Sequence, residues 1–259
     1  MENNKITICS IGDTHGRTNW RKLLDLNDLV ESNEHDNILP IYDKYIFLGD
    51  YVDSFNVMDV EIKKNLLDII SLKKKYPNHI ILLLGNHDIQ YLFGYNKYGC
   101  SGFRPQMEWD LKDIFKKNLD LFQLSYQIHD TIWSHAGITE WWYKNRYLLF
   151  FDSKKNKQFD IVQSKKLSML SHNINKLFEY EVDILFDVGH LRGGYQVTGG
   201  PLWADKRMLQ DNPLTGINQI VGHTVGKDLD VHITEDEKKL VFCDCMEHKN
   251  TCYLSQRNV

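Results

Sequence analysis

Five short polar motifs stand at or just after the ends of apolar runs in this 259-residue sequence: GDTHG at 12–16, GDYVD at 49–53, GNHD at 85–88, SHAG at 134–137 and VGHT at 221–224. Carboxylates, imidazoles and one amide oxygen delivered from separate strand ends can converge on a pair of divalent cations, which no single local motif could hold. A lone Gly-Asp after a strand is ordinarily a tight turn, in which Gly supplies the unusual dihedrals and Asp bonds its own backbone. Five such motifs in one chain point instead to a dinuclear metallohydrolase. Asp13 and His15 stand two apart just beyond a strand, so their side chains can point to one side and grip one ion. Asp50 carries a hard anionic oxygen pair suited to bridge two cations about 3.5 to 4 Å apart. Two cations sharing a water lower its pKa toward neutrality and aim it in line at phosphorus, with no need of a protein nucleophile.

The elements that must position these motifs are readable from periodicity. The runs at 6–11, 45–48 and 80–84 are short, uninterrupted and rich in branched residues, as strands buried on both faces should be. Helical spacing lies between them. One pattern joins Trp20, Leu23, Leu24 and 26–30 behind a Thr18 cap; the other joins Val60, Leu66, Leu67, Ile69, Ile70 and Leu72 and ends before Pro77. Strand, helix, strand, helix, strand is a βαβαβ unit whose parallel sheet binds ligands at its carboxyl edge, where the first three motifs fall. Further on, 91–105 reads as a Gly-containing aromatic loop, 106–121 as a helix and 127–133 as a strand carrying SHAG at its end. The stretches 140–151 and 160–186 read as mostly helical, an aromatic-rich insertion that caps or flanks the site. Strand signals return at 218–221, 230–234 and 240–244, the last two flanking a charged turn at 235–239. The expectation is one α/β domain over 1–259, with a helical insertion around 139–187.

Composition narrows the class. Hydrophobic residues make up 42% and charged residues 25%, which is globular, and no stretch approaches the roughly 18 apolar residues of a membrane span. The amino terminus lacks a basic n-region and a long h-region, so the run ending at Ile11 reads as a core strand and the expected location is cytoplasmic. Five cysteines without a regular framework fit a reducing compartment, and Cys243 with Cys245 reads as a packing pair on a strand. A net charge of −4 argues against broad nucleic-acid binding. Lysines at 73–75 suit the last turn of a helix, and those at 154–157 and 165–166 a solvated surface.

In these motifs and their order the chain resembles the calcineurin-like metallophosphoesterases, and within them the PPP group of serine/threonine phosphatases and symmetrical dinucleoside tetraphosphatases. The resemblance runs over about 6–244. It implies a four-layer sandwich of two facing mixed β-sheets with helices outside. Carried over residue by residue, it implies metal ligation by Asp13, His15, Asp50, Asn86, His135 and His223, with two divalent ions, manganese first and iron or zinc as alternatives. It further implies His87 as the general acid, with Asp53 holding its ring.

One departure is substantial. Where the PPP pattern continues GDYVD with Arg-Gly, this chain has Ser54 and Phe55, so a bidentate guanidinium that would clamp substrate oxygens is missing there. Arg17, Arg104, Arg192 and Arg207 are the candidates to replace it. Arg192 ranks first because Gly193 and Gly194 allow close backbone approach and 189–205 resembles the RGG and GP-x-W region of bacterial PPP-like phosphatases; Arg104, in CSGFRP, ranks second. Val225 occupies the place where many phosphodiesterases of the wider superfamily carry a second His, which shifts weight toward the PPP-like group. The resemblance implies hydrolysis of phosphate monoesters, with phosphoserine or phosphothreonine in proteins as substrate. The alternative is a dinucleoside polyphosphate or nucleotide hydrolase, with Trp141, Trp142, Tyr143 and Trp203 available for a base pocket. The loss of Arg at Ser54 motivates a third reading, a catalytically silent binding protein.

Overall fold

Branched and aromatic residues alternate between two buried faces in each of the first three strands of the computed structural model, which describes residues 5–24, 42–153, 165–180 and 182–258. Strands β1 (Lys5–Ile11), β2 (Lys44–Phe47) and β3 (Ile80–Leu83) pair in parallel, with Ile8 opposite Lys44 and Tyr45 opposite Ile80. β4 (Phe122–Gln123) continues this sheet beyond β3, and β10 (Tyr253–Asn258) covers the other side of β1 in antiparallel register. The second sheet runs β5 (Ser125–Ile128), β6 (Thr131–Ser134), β7 (Asn218–Val221), β9 (Lys239–Phe242), β8 (Asp230–Ile233), and within it β6, β7 and β9 are parallel to one another.

The two-residue period decides which face each side chain joins. Ile8, Ile46, Leu48 and Leu83 pack with Trp133, Ile220, Val241 and Cys243 in the layer between the sheets, and the Trp133 indole donates across it to Ser10 Oγ at 2.9 Å. Cys9, Ile11, Tyr45, Phe47, Ile80, Leu82 and Leu84 belong instead to the larger core, which includes the helices. Helix α1 (Trp20–Leu23) and α2 (Asp59–Lys75) supply Trp20, Ile62, Leu66, Ile69 and Ile70 to that core. In α2 the apolar stripe has helical spacing, Glu61 accepts from the Met58 N–H at 3.2 Å, and acids begin the helix while lysines end it. Two sheets flanked by helices make up a mixed α/β sandwich, and no helix among the described residues is long and apolar enough to cross a membrane.

Several local expectations are corrected. The run at 127–133 is a hairpin, β5 and β6, because His129 adopts a left-handed φ of 49° and turns the chain. The stretch at 91–105 begins inside a helix, α3 (Asn86–Phe93), and contains a second short one, α4 (Tyr95–Tyr98). The helix expected over 106–121 is shorter, α5 (Glu108–Lys117), with 3-10 turns on both sides. Thr18 does not cap α1 through its side chain; Asn19 stands at the cap position and the Thr18 carbonyl accepts from Arg21 N. Val60 and Leu67 face outward and are well exposed. In the insertion, short helical turns cover Glu140–Trp142, Tyr143–Tyr147 and Leu148–Asp152, and α6 (Leu170–Tyr180) follows. The expected helical residues at 26–30 and 160–164, and the lysines at 154–157, lie outside the described residues.

Candidate metal centre

Six strand ends converge, one more than the motifs count. The carboxyl ends of β1, β2 and β3 carry Asp13, Asp50 and Asn86, and those of β6, β7 and β9 carry His135, His223 and Asp244. The approach is close. A Cβ on Gly222 would land on Asp13 Oδ1, and one on Gly85 would land on Asp50 Oδ1. The turns that aim these side chains are strained: of the six non-glycine residues with positive φ among the described residues, His15 (45°), Asp50 (52°), Asp53 (59°) and His223 (66°) belong to the site. Such conformations cost roughly 1 to 3 kcal/mol each and persist only where surrounding contacts impose them. Asp88 imposes part of this, its carboxylate taking the N–H groups of Asp50 (2.8 Å), Tyr51 (3.0 Å) and Gly85 (2.9 Å) and so joining two motif loops.

Two ligand groups share Asp50. Donor atoms of Asp13, His15 and Asp50 lie within 4.8 Å of one another, as do those of Asp50, His135 and His223. The imidazoles are oriented by carbonyls. His15 Nδ1 donates to the Val52 and Asp53 carbonyls (3.0 and 2.7 Å), and His135 Nδ1 donates to Leu48 O at 2.8 Å, which leaves each Nε2 as a lone pair. Asn86 is oriented likewise: its amide donates to Cys100 Sγ and Cys100 donates to the Asn86 carbonyl, both at 3.3 Å, so Asn86 Oδ1 turns inward. There it meets His135 Nε2 at 2.8 Å and His223 Nδ1 at 3.0 Å, with Asp50 Oδ2 3.4 Å from His135 Nε2. Oxygen and imidazole nitrogen atoms gathered at these distances can hold a cation among them. The residues therefore fit a metal pair, with oxygen and imidazole donors suited to manganese, iron or zinc.

The electrostatics agree. Burial raises the Asp50 carboxyl, but His135, His87 and His15 outweigh it and hold the group far below the usual range, as an anion. Asp13 is pushed well up by burial and then by Asp244 and Asp50, a repulsion that a bound cation reverses. The dyad behind them is equally built. His87 Nδ1 lies 3.0 Å from Asp53 Oδ2, and Asp53 also accepts from the Gln90 amide and the Tyr91 hydroxyl. Burial works against charge on His87, yet Asp50 and Asp53 prevail and raise it to about 9. Gln90 and Tyr91 lie within one helical turn after GNHD on α3, where sequence reading assigned Tyr91 to a loop and gave Gln90 no role. Asp244, also missed, is buried at a strand end with no motif around it, and burial with Asp50 raises its carboxyl to about 7.

A cleft of about 310 Å³ opens over these groups, and its walls include His15, Arg17, His87, Arg192 and His223. Arg192 is held at its edge by Asp205 (Nε to Oδ2, 2.8 Å) and Thr224 (Nη2 to Oγ1, 2.6 Å). Arg104 is placed differently. Its guanidinium pairs with Asp59 and donates to the carbonyls of Ser54 and Val57, so it braces the 54–57 loop and the structure does not bring it into the cleft. Arg207 sits on a short helix, α7 (Lys206–Asp211), and is not among the cleft residues. Trp142 and Tyr143 are buried in the core, and Trp203 meets His223 edge-on at 5.4 Å. Cys243 packs between the sheets, as expected of a packing residue.

The tight fit of Gly222 yields a prediction. Gly222→Ala should displace the Asp13 carboxylate and lower bound metal below two ions per chain while circular dichroism still reports the native fold. Full metal content would show that Asp13 is not needed in its present position.

Comparisons with known proteins add the following. A family model for calcineurin-like phosphoesterases matches residues 6–227. Human serine/threonine-protein phosphatase 5 is 31% identical over 118 residues, covering 44% of this chain and 21% of that protein. The catalytic subunit of serine/threonine-protein phosphatase 6 from Caenorhabditis elegans is 36% identical over 104 residues, covering 36% of this chain and 26% of that one. The chain thus spans about a quarter or less of these relatives' lengths. Among solved structures, the cold-active protein-tyrosine phosphatase of a psychrophilic Shewanella species superposes over 99% of this chain and 77% of its own, with a TM-score of 0.56 and 16% identity.

Proposed function

Because the chain belongs to the calcineurin-like phosphoesterase family, we propose that it is a dinuclear metal-dependent hydrolase of phosphate monoesters. The observation that carries this reading is Asp50 standing in both ligand groups, directly beside the His87–Asp53 dyad. Asp13, His15 and Asp50 would hold one ion, and Asp50, Asn86, His135 and His223 the other. Such a pair supplies Lewis acidity toward phosphoryl oxygens and activates water at neutral pH. Manganese is the metal proposed, and the cytoplasm the compartment, in keeping with five free cysteines. Phosphoserine or phosphothreonine in a protein is the substrate proposed, by kinship with the phosphatases above.

The side chains divide the remaining work. His87, whose charged form Asp50 and Asp53 favour, gives its proton to the departing oxygen from Nε2, while Asp53 fixes Nδ1 and the ring plane. Arg192 meets the charge that develops on the phosphoryl oxygens. Hydrolysis of a chromogenic aryl phosphate with added manganese tests the reading directly. Phosphoserine peptides compared with diadenosine tetraphosphate then separate a protein phosphatase from a nucleotide hydrolase. No turnover of any ester by the metal-loaded chain would favour the silent binding protein.

For Arg192 the expected effect is specific. Arg192→Ala should cost on the order of 2 to 4 kcal/mol of transition-state stabilisation, the range for one preorganised donor at a developing anion. A change in kcat/KM smaller than about tenfold, roughly 1.4 kcal/mol, would remove Arg192 from that role.

A further inference from the structure

We infer that Arg17 supplies the phosphate-binding guanidinium displaced from position 54, and that Ser54 and Asn56 have become its supports. The inference rests on the phosphoesterase reading and concerns the same cleft. Arg17 follows His15 and Gly16, whose φ values of 45° and 77° turn the chain sharply after β1. That turn is stitched to the Asp50 loop by His15 N to Asp50 O (2.8 Å) and Gly16 N to Tyr51 O (2.9 Å). The stitching sets the Arg17 side chain beside the 53–56 segment, where a side chain from position 54 would otherwise begin.

The guanidinium is held there by two oxygens. Nη2 donates to Asn56 Oδ1 at 3.1 Å and pairs with Glu247 Oε1 at 3.1 Å. The same Asn56 oxygen accepts the Ser54 hydroxyl at 3.0 Å, so the residue that replaced Arg orients the amide that orients Arg17. Arg192 is held in the same manner, by one carboxylate and one hydroxyl, at the other ligand group. Two forked cations thus stand on the cleft wall, one beside His15 and one beside His223. A phosphoryl group with three peripheral oxygens suits such an arrangement, since a guanidinium binds oxygen pairs in a planar fork.

Arg17 lines two openings, the 310 Å³ cleft and a hollow of about 430 Å³. Two carboxylates also face this end of the cleft, Asp244 and Glu247. Asp244 is buried beside Asp13 and Asp50, whose joint charge the metal ions would offset, and Glu247 is 46% exposed. The carboxylate partner lies toward solvent while the Arg17 side chain is 14% exposed, so Glu247 can turn to water and leave Arg17 facing a phosphoryl oxygen.

The test uses the full chain loaded with manganese and reads three quantities: kcat/KM on a phosphate monoester, calorimetric affinity for inorganic phosphate, and metal content. Arg17→Ala should lower kcat/KM by about 100-fold or more, the effect of losing one preorganised donor. Phosphate affinity should fall at least about tenfold with both metals retained, and Arg17→Lys should recover little because an ammonium lacks the fork. Adding Ser54→Arg to Arg17→Ala should regain at least about tenfold, which a structural defect could not do. Asn56→Ala, on an exposed position, should weaken phosphate about threefold to tenfold, the worth of one hydrogen bond. The idea is overturned if Arg17→Ala keeps both kcat/KM and phosphate affinity within about threefold, or if it loses metal and Ser54→Arg restores nothing. A chain that binds phosphate through Arg17 yet turns over no ester would fault the proposed reaction and leave the binding site standing.

Discussion

Asp50→Asn should lose both metal ions and at least about 10³-fold in kcat/KM, about 4 kcal/mol of transition-state stabilisation. The reason is geometric. Asp50 is common to the two groups of potential ligands, while its other oxygen accepts the His87 N–H at 3.0 Å. Replacing one oxygen by an amide nitrogen removes the charge that both groups share and turns a donor toward His135 or toward His87 N–H. A thermal measurement reads the same event without turnover. Manganese at 100 times its dissociation constant stabilises a single-site protein by about 2.7 kcal/mol, which for a chain of this size raises Tm by about 5 to 10 °C. Wild-type protein should show that rise and Asp50→Asn should not. A variant that still binds two ions and keeps kcat/KM within about tenfold would show that Asp50 is not the bridge.

His87→Asn should lower turnover by about 10² to 10⁴ on phosphate esters with poor leaving groups, the usual contribution of a positioned general acid. Metal content should be unchanged, because His87 belongs to neither ligand group. Activated aryl phosphates need little protonation of the departing oxygen, so their loss should be much smaller. The pH profile gives an independent reading. His87 acts in its charged form, which Asp50 and Asp53 favour up to about pH 9. Bound cations near Asp50 push that value down, so the alkaline limb of kcat on a poor leaving group should lie below about 9 and should be absent in His87→Asn. Equal losses on both classes of substrate, or an unchanged alkaline limb, would reassign His87 to a structural role.

The strand ends that carry the metal-ligand candidates were legible because their determinants are local. Apolar runs at 6–11, 45–48 and 80–84 are short and branched, and each is followed at once by a Gly and a polar side chain. The strand β10 escaped notice because it is an edge strand, with Leu254 and Gln256 exposed and no apolar run to mark it. The hairpin turn at His129 and Asp130 was hidden because neither residue is a strong breaker, and a left-handed His is settled by the pairing of β5 with β6.

Residue types and order by themselves determined that a metal pair was the chemistry to expect, since carboxylate, imidazole and amide donors at successive strand ends have few other uses. They could not determine which arginine faces it. Arg104 is committed to Asp59, 45 residues away, Arg192 to Thr224, 32 away, and Arg17 to Asn56, 39 away. They could not reveal Asp244 or the Gln90 and Tyr91 support of Asp53 either, because those contacts exist only once β9 lies beside β7 and α3 turns its first two turns over the Asp50 loop. Donor identity is a property of single residues, whereas the partner that holds each side chain in place is a property of the packed sheets.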